Sequence, residues 1–409
     1  MEATAILVTV FGAGALVAGY MERRRHGRRL QAVPIRVNVN GSRGKSTVTR
    51  LLIGVFAEAG FDTVGKTTGT QARLILNHEP DEEPIQRRLE GPNIREQKNV
   101  GRRAAERGAD ALVSECMAIV PEYQQVLQED LLQANIVVLT NVLEDHLDEM
   151  GPTTDEVAQA FAATIPSGGS LVVAKGPYHD YFTAVAEARG TTVHVADPSL
   201  VADTDVAAFD HLVFPEHVAL CLAVAEAVGI DEATALEGMK RSRPDPFATR
   251  LVQVGSAVSP ACFVSAFSAN DPVSTLGIWE HLRDLGYPGE GLVVVINCRS
   301  DRWERSEQFA RDVLPALPAE TIVAIGDLTV PIVRAHDRGE LGDTPLIDLQ
   351  GREPGEVYDT VRGLLDSDGA PAGRVVLGVG NLHTAAIPLI EAFDRDAGAS
   401  AEEASDVRD

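Results

Sequence analysis

The chain has 409 residues, 44% of them hydrophobic, four cysteines and a formal net charge of −24. That length and apolar content suit two or three folded domains and exclude a disordered or fibrous protein. The acidic excess excludes a general nucleic-acid-binding surface, which needs a basic footprint to displace counterions.

The first predicted element is the uncharged run Ala3–Met21, followed by Arg23, Arg24, Arg25, Arg28 and Arg29. As a helix rising ~1.5 Å per residue, the run nearly matches a hydrocarbon core of roughly 30 Å. The expectation is a transmembrane anchor with its basic flank in residues 1–33, in contact with the lipid bilayer. The positive-inside rule then puts the catalytic part in the cytoplasm of a single-pass membrane protein. A cleaved signal peptide would carry its positive charges before the apolar run. A buried core helix is the other reading, and the clustered arginines count against it.

Ile35, Val37 and Val39 alternate with polar residues up to Asn40-Gly41, which predicts a strand entering a glycine turn. Leu51, Leu52, Val55 and Phe56 then recur at helical spacing until Gly60. Between strand and helix lies GSRGKST, Gly41 to Thr47, where glycines let the backbone N–H groups face phosphates. Lys45 is placed to reach the β- and γ-phosphates of ATP, and the Ser46 hydroxyl to coordinate Mg2+. Val39 stands where the full phosphate-loop pattern has its first glycine. The plainer alternative is a glycine turn with a surface lysine.

Further apolar runs end in polar residues: Ala111–Val113 before Ser114-Glu115, and Ile136–Leu139 before Thr140-Asn141. Such runs suit a parallel sheet buried on both faces. Leu171–Val173 and Val193–Val195 continue it, with helices expected at about 155–163 and 216–228. The prolines of RSRPDPFAT mark a linker. A second α/β unit follows, with strands at Leu292–Ile296, Ile322–Ile325 and Val375–Leu377. The expected domains are a P-loop central domain over 34–245, a smaller Rossmann-like α/β domain over 246–396, and a disordered acidic tail over 397–409. Cys116, Cys221, Cys262 and Cys298 form no C-x-x-C pair, so no disulfide framework or structural zinc site is indicated.

The blocks VNGSRGKSTVTRLL, KTTGTQARLI, EGPNIREQ, ECMAIVPEYQ, TNVLEDHLDEMGPT and NCRSDR, in this order, resemble the Mur-type ATP-dependent amide ligases. Within that superfamily they most resemble the ligase subunit of poly-γ-glutamate synthases (PgsB/CapB type), and a weaker match, GVGNLH, lies near the C-terminus. The resemblance implies a Mur-ligase-like fold and an ATP-dependent acid–amino-acid ligase that polymerises glutamate through its γ-carboxyl; the alternatives are another Mur- or folylpolyglutamate-type ligase and a P-loop ATPase driving transport or assembly. ATP and Mg2+ would be its cofactors, and glutamate, poly-γ-glutamate and a small integral membrane subunit its partners.

Carried over by residue, it implies ATP contacts from Asn40, Gly41, Ser42, Arg43, Gly44, Lys45, Ser46, Thr47, Arg250 and Asn270. Metal would be held by Ser46, Glu115 and His146, with Asn141 and Asp145 beside them, and Lys45, Glu115 and His146 would be catalytic. Arg73, Arg87, Arg88, Arg95, Arg299 and Arg302 are candidates for binding the anionic substrate. Plainer readings remain for several: Glu115 as an ordinary strand end, His146 as a packed histidine, and Arg250, Arg299 and Arg302 as surface ion pairs. Many Mur ligases carry a carbamylated lysine where Ala160 and Phe161 stand here, and DYAHNP is altered to AFSANDP. The second metal must then be held differently, and the nucleotide contacts of Asn270 and Asp271 are open.

Overall fold

The chain begins in a helix, α1 (Glu2–Gln31), whose two halves differ. In the first, Ile6, Val10, Phe11, Leu16 and Val17 are exposed. In the second, His26 and Leu30 are buried one helical turn apart, and His26 Nε2 lies 3.0 Å from the Leu131 carbonyl oxygen. Burying Leu30 is worth about 1.5–3 kcal/mol. The exposed pairs Lys98–Glu22 and Arg23–Asp130 add little. Among the described residues no helix is long and apolar enough to cross a membrane, so the expected transmembrane helix finds no support there. The basic flank is also no free linker. His26 and Leu30 make an inward stripe, and Arg23, Arg24, Arg25 and Arg28 take the exposed faces of the same helix.

The computed structural model describes residues 2–69, 72–77, 79, 81–87, 93–144, 146–206, 208–209, 211–255, 260–287, 291–365 and 373–406. They form two units, Met1–Phe209 with Val213–Asp245, and Asp210–Leu212 with Pro246–Asp409. In the first unit β1 (Ile35–Asn40) leads to α2 (Lys45–Glu58), β2 (Thr63–Thr67), β3 (Arg73–Leu76), β4 (Glu83–Pro84), α3 (Glu96–Arg107) and β5 (Ala111–Glu115). After α4 (Pro121–Val126), a π-helical stretch Leu127–Leu132 leads to β6 (Ile136–Leu139), α5 (Leu147–Met150) and α6 (Thr154–Ala162). The unit closes with β7 (Gly169–Ala174), α7 (His179–Ala188), β8 (Thr191–Ala196), α8 (Asp203–Val206), α9 (Pro215–Val228) and α10 (Glu232–Lys240).

The sheet order is β4-β3-β2-β5-β1-β6-β7-β8, parallel from β2 to β8, with β3 and β4 added antiparallel. Alternation divides the strands between two cores. Val37, Val39 and Val113 face the core shared with α2 and α9, and Leu112, Val137 and Leu139 face the core shared with α3 and α6. α2 buries Val48, Leu51, Leu52, Val55 and Phe56, one stripe at helical spacing. The C-terminal ends of β1, β5 and β6 therefore lie side by side, where open parallel sheets place ligands.

The second unit holds β9 (Leu251–Gly255), β10 (Pro260–Ser265), α11 (Pro272–Asp284), β11 (Leu292–Cys298), α12 (Trp303–Asp312), β12 (Ala319–Gly326) and α13 (Val330–Asp337). It continues through β13 (Leu346–Gln350), α14 (Pro354–Leu365), β14 (Arg374–Gly380) and α15 (Ala386–Asp406). Its strand order is β13-β12-β11-β14-β10-β9, with only β9 antiparallel among the paired strands. β11 is buried along its whole length, and its sequence is an apolar run, Leu292–Ile296, before Asn297 and Cys298. The helix α15 runs to Asp406, through most of the stretch expected to be a disordered tail. Alanine and glutamate there are strong helix formers that extend an already anchored helix.

Candidate functional site

The loop between β1 and α2 is shaped by its glycines. Gly41 has φ 128° and Gly44 φ 81°, values that suit glycine. A side chain at Gly41 would run into Thr140, and one at Gly44 into the His217 ring. The end of β6 clamps the loop. Asn141 Oδ1 accepts from Arg43 N at 2.9 Å, its carbonyl accepts from Ser42 N at 3.1 Å, and Thr140 Oγ1 donates to the Arg43 carbonyl at 2.6 Å. Ser42 Oγ in turn donates to the Leu143 carbonyl at 3.0 Å. Val39, in the place of the motif's first glycine, is a buried residue of β1, which runs to Asn40, so the loop starts at Gly41 and is correspondingly short.

Lys45 is the first residue of α2, and its Nζ donates to the carbonyls of Gly41 and Ser42, the latter at 3.0 Å. Ser46 follows, its Oγ donating to Glu115 Oε2 at 2.9 Å. The same carboxylate oxygen accepts from the Thr68 backbone N at 2.7 Å, and Glu115 is 3% exposed. One turn of α2, the end of β5 and the segment after β2 thus converge on one carboxylate. One buried carboxylate and one hydroxyl beside a phosphate-cradling loop suit Mg2+, which takes one or two carboxylates and fills its remaining positions with water and substrate phosphate. The donor set therefore fits the implied metal.

Several sequence-derived candidates sit differently. Asn40 is buried and donates from Nδ2 to Gln124 Oε1 at 2.8 Å, while its Oδ1 accepts from Gly41 N. It braces the loop from beneath. Arg43 and Thr47 are half-buried at the loop and the start of α2. His146 is exposed, in a left-handed conformation at φ 45° as the N-cap residue of α5. Among the described residues no group of three or more His, Cys, Asp or Glu side chains is placed to hold a metal. Asp145 lies outside the described residues. Ala160 and Phe161 are both buried in the core with α3, so the positions of the missing lysine are taken up by packing.

Among the substrate candidates, Arg73 is half-buried on β3, Arg95 is exposed as the N-cap residue of α3, and Arg87 donates from Nε to Glu96 Oε1 at 3.2 Å. Arg88 lies outside the described residues. In the second unit Arg299 is paired with Asp301 through Nε at 2.9 Å and Nη2 at 2.7 Å, so an acid of the chain already occupies its fork. Arg302 is exposed. Arg250 and Asn270 are half-buried there, and Asp271 caps α11 by accepting from Ser274 N at 2.9 Å. This cap is an ordinary role for the aspartate of the altered block.

Sequence reasoning missed the contribution of Thr140 as a clamp, His217 over Gly44, and the backbone of Thr68. The first had a signal in TNV at a strand end; the other two act through shape and backbone, which carry none.

The model of the Mur ligase middle domain matches residues 39–209, and that of the poly-gamma-glutamate synthase CapB C-terminal domain matches residues 252–396. The chain is 49% identical to PGA synthase CapB of Bacillus subtilis (strain 168) over 385 residues, 94% of this chain and 96% of that one. It is 50% identical to the capsule biosynthesis protein CapB of Bacillus anthracis over 385 residues, 94% of this chain and 81% of that one. A Mycobacterium tuberculosis folylpolyglutamate synthase, solved with ADP and AMPPCP, shares the fold at a TM-score of 0.67 and 15% identity, over 90% of this chain and 92% of that one.

Proposed function

The chain belongs to the CapB family of poly-γ-glutamate synthases on the Mur ligase fold and is an ATP-dependent ligase, and from that premise we propose how its residues make the bond. A carboxylate is inert to amines because its oxygen is a poor leaving group. Moving the γ-phosphoryl group of ATP onto a γ-carboxyl oxygen turns that oxygen into phosphate. The amine of an incoming glutamate then attacks the carbonyl carbon, the C–O bond to phosphate breaks, and ADP and phosphate leave.

The protein's part is positioning and charge compensation. The loop N–H groups and Lys45 hold the phosphates, while Ser46 and Glu115 are the groups that would hold Mg2+. Bound there, Mg2+ supplies charge neutralisation where two anions meet. The observation that carries this reading is the junction of Ser46, Glu115 and Thr68 N beside Lys45. Arg73, Arg87, Arg88 and Arg95 are proposed to receive the glutamyl chain, with Arg250 and Asn270 on the nucleotide and His146 as a further metal ligand.

Hydroxylamine supplied with ATP, Mg2+ and the glutamate chain should trap the activated carboxyl as a γ-hydroxamate, since it outcompetes the α-amine as a nucleophile. Glutamate-dependent ADP release without any hydroxamate, or an α-linked product by mass spectrometry, would leave an uncoupled ATPase or a different ligase.

The apolar half of α1, with Ile6, Phe11 and Leu16 exposed ahead of Arg23, Arg24 and Arg25, supports contact with a small integral membrane subunit at the cytoplasmic face of the bilayer. Deleting residues 2–21 should release the protein from washed membranes with glutamate-dependent ADP release intact, because the docked stripe of His26 and Leu30 remains. Equal sedimentation of the truncated and full chains would remove α1 from that role.

A further inference from the structure

Strand register puts three polar residues in a row across the first sheet: Lys66 on β2 pairs with Ser114 on β5, which pairs with Asn38 on β1. All three are fully buried, on the face covered by α3 and opposite to that of Glu115. α3 answers two of them. Ser114 Oγ donates to Gln97 Oε1 at 2.9 Å, and Lys66 Nζ lies 3.8 Å from Glu96 Oε2. The ammonium also donates to Met117 Sδ at 3.1 Å, a weak acceptor. Burial pushes the Lys66 pKa down to about 8, with Glu96 and Glu115 opposing the shift. An apolar side chain at this position would avoid that desolvation cost, as Val64 does on the same face.

Glu96 is shared. Its Oε2 faces Lys66, and its Oε1 accepts from Arg87 Nε at 3.2 Å and from Asn93 N at 3.3 Å. A carboxylate with both oxygens available pairs with a guanidinium as a two-pronged fork. Here one oxygen is turned toward a buried cation, and among the described residues the other meets Arg87 through Nε alone. Among the described residues no hydrogen bond engages the two terminal nitrogens of Arg87, which suits them to another carboxylate.

We propose that Lys66 is a positioning residue for the glutamyl acceptor: its buried charge, 3.8 Å from one oxygen of Glu96, draws that oxygen inward and keeps Glu96 from clamping Arg87, whose terminal nitrogens then bind a substrate carboxylate. This rests on the reading of Arg87 as a substrate arginine. Lys66 touches neither substrate nor metal; it acts through Glu96.

The test is steady-state kinetics with poly-γ-glutamate and ATP varied separately. Lys66→Met frees Glu96 to take the Arg87 fork and should raise the acceptor KM about 10-fold, with kcat and the ATP KM within twofold. Lys66→Met combined with Glu96→Gln removes the competing carboxylate and should bring the acceptor KM back toward that of the unmodified protein. Damaged packing would not be rescued by a second change. Arg87→Ala should raise the acceptor KM by itself.

If Lys66→Met leaves the acceptor KM alone, or the double variant stays as weak as the single one, while Arg87→Ala still raises KM, the role of Lys66 is overturned and that of Arg87 stands. An unchanged KM in Arg87→Ala overturns both. Lys66→Leu, uncharged and without a donor, is the second single variant should methionine not be tolerated, and the same shift is expected.

Discussion

Lys45→Ala is expected to lose on the order of 10³-fold in kcat, the size seen when a preorganised charge partner of a transition state is removed. The fold should survive. Lys45 is half-buried, and its Nζ donates to the carbonyls of Gly41 and Ser42 in its own loop. α2 is held by its buried stripe of Val48, Leu51, Leu52, Val55 and Phe56, which the change leaves in place. When phosphates arrive, the ammonium exchanges two neutral acceptors for charged ones, a stronger bond. Alanine leaves the transferring group without its cation. Glutamate-dependent ADP release is the measurement, with far-UV circular dichroism to check the fold. Undiminished release from a folded Lys45→Ala protein would take the loop out of the mechanism.

The parts of this site that were readable in the sequence are those where a local pattern coincides with a chemical one. Alternation at Ile35, Val37 and Val39 gave β1, spacing at Leu51, Leu52 and Val55 gave α2, and the glycines between them had to be a turn. Glu115 and Asn141 were legible because each ends an apolar run, and a buried parallel strand delivers its next polar residue to the sheet edge. The short strand β2 was not legible. Its sequence TVGKT contains a glycine and a lysine and offers no apolar run, yet every residue of it is buried.

Charged residues were the least readable, because their partners are distant in sequence. Arg299 looked like a carboxylate binder and is already paired with Asp301. Arg50, which no pattern singled out, is 3% exposed and held by both oxygens of Glu82. The arginines after Met21 counted as evidence of a membrane flank, because composition cannot show that His26 and Leu30 form an inward stripe between them. In the row of Asn38, Ser114 and Lys66, polarity predicts exposure, and only the sheet register reveals that the three are buried together.

Glu115→Gln separates the structural work of that residue from its charge. The amide keeps a carbonyl oxygen that can accept from Thr68 N and Ser46 Oγ, the two bonds the carboxylate accepts at 2.7 and 2.9 Å. The segment after β2 should therefore stay in place. What is lost is the negative charge beside Ser46, and with it the ligand that would draw a divalent cation. The Mg2+ concentration for half-maximal activity should rise on the order of 10- to 100-fold, with turnover partly restored at high Mg2+. Glu115→Ala also removes both acceptors and should not be restored by metal. Added bicarbonate should change neither curve, because Ala160 and Phe161 are core residues and offer no amine to carbamylate. A Glu115→Gln protein with an unaltered Mg2+ dependence would move the metal away from the end of β5, and the Ser46–Glu115 contact would then be a brace for α2 alone.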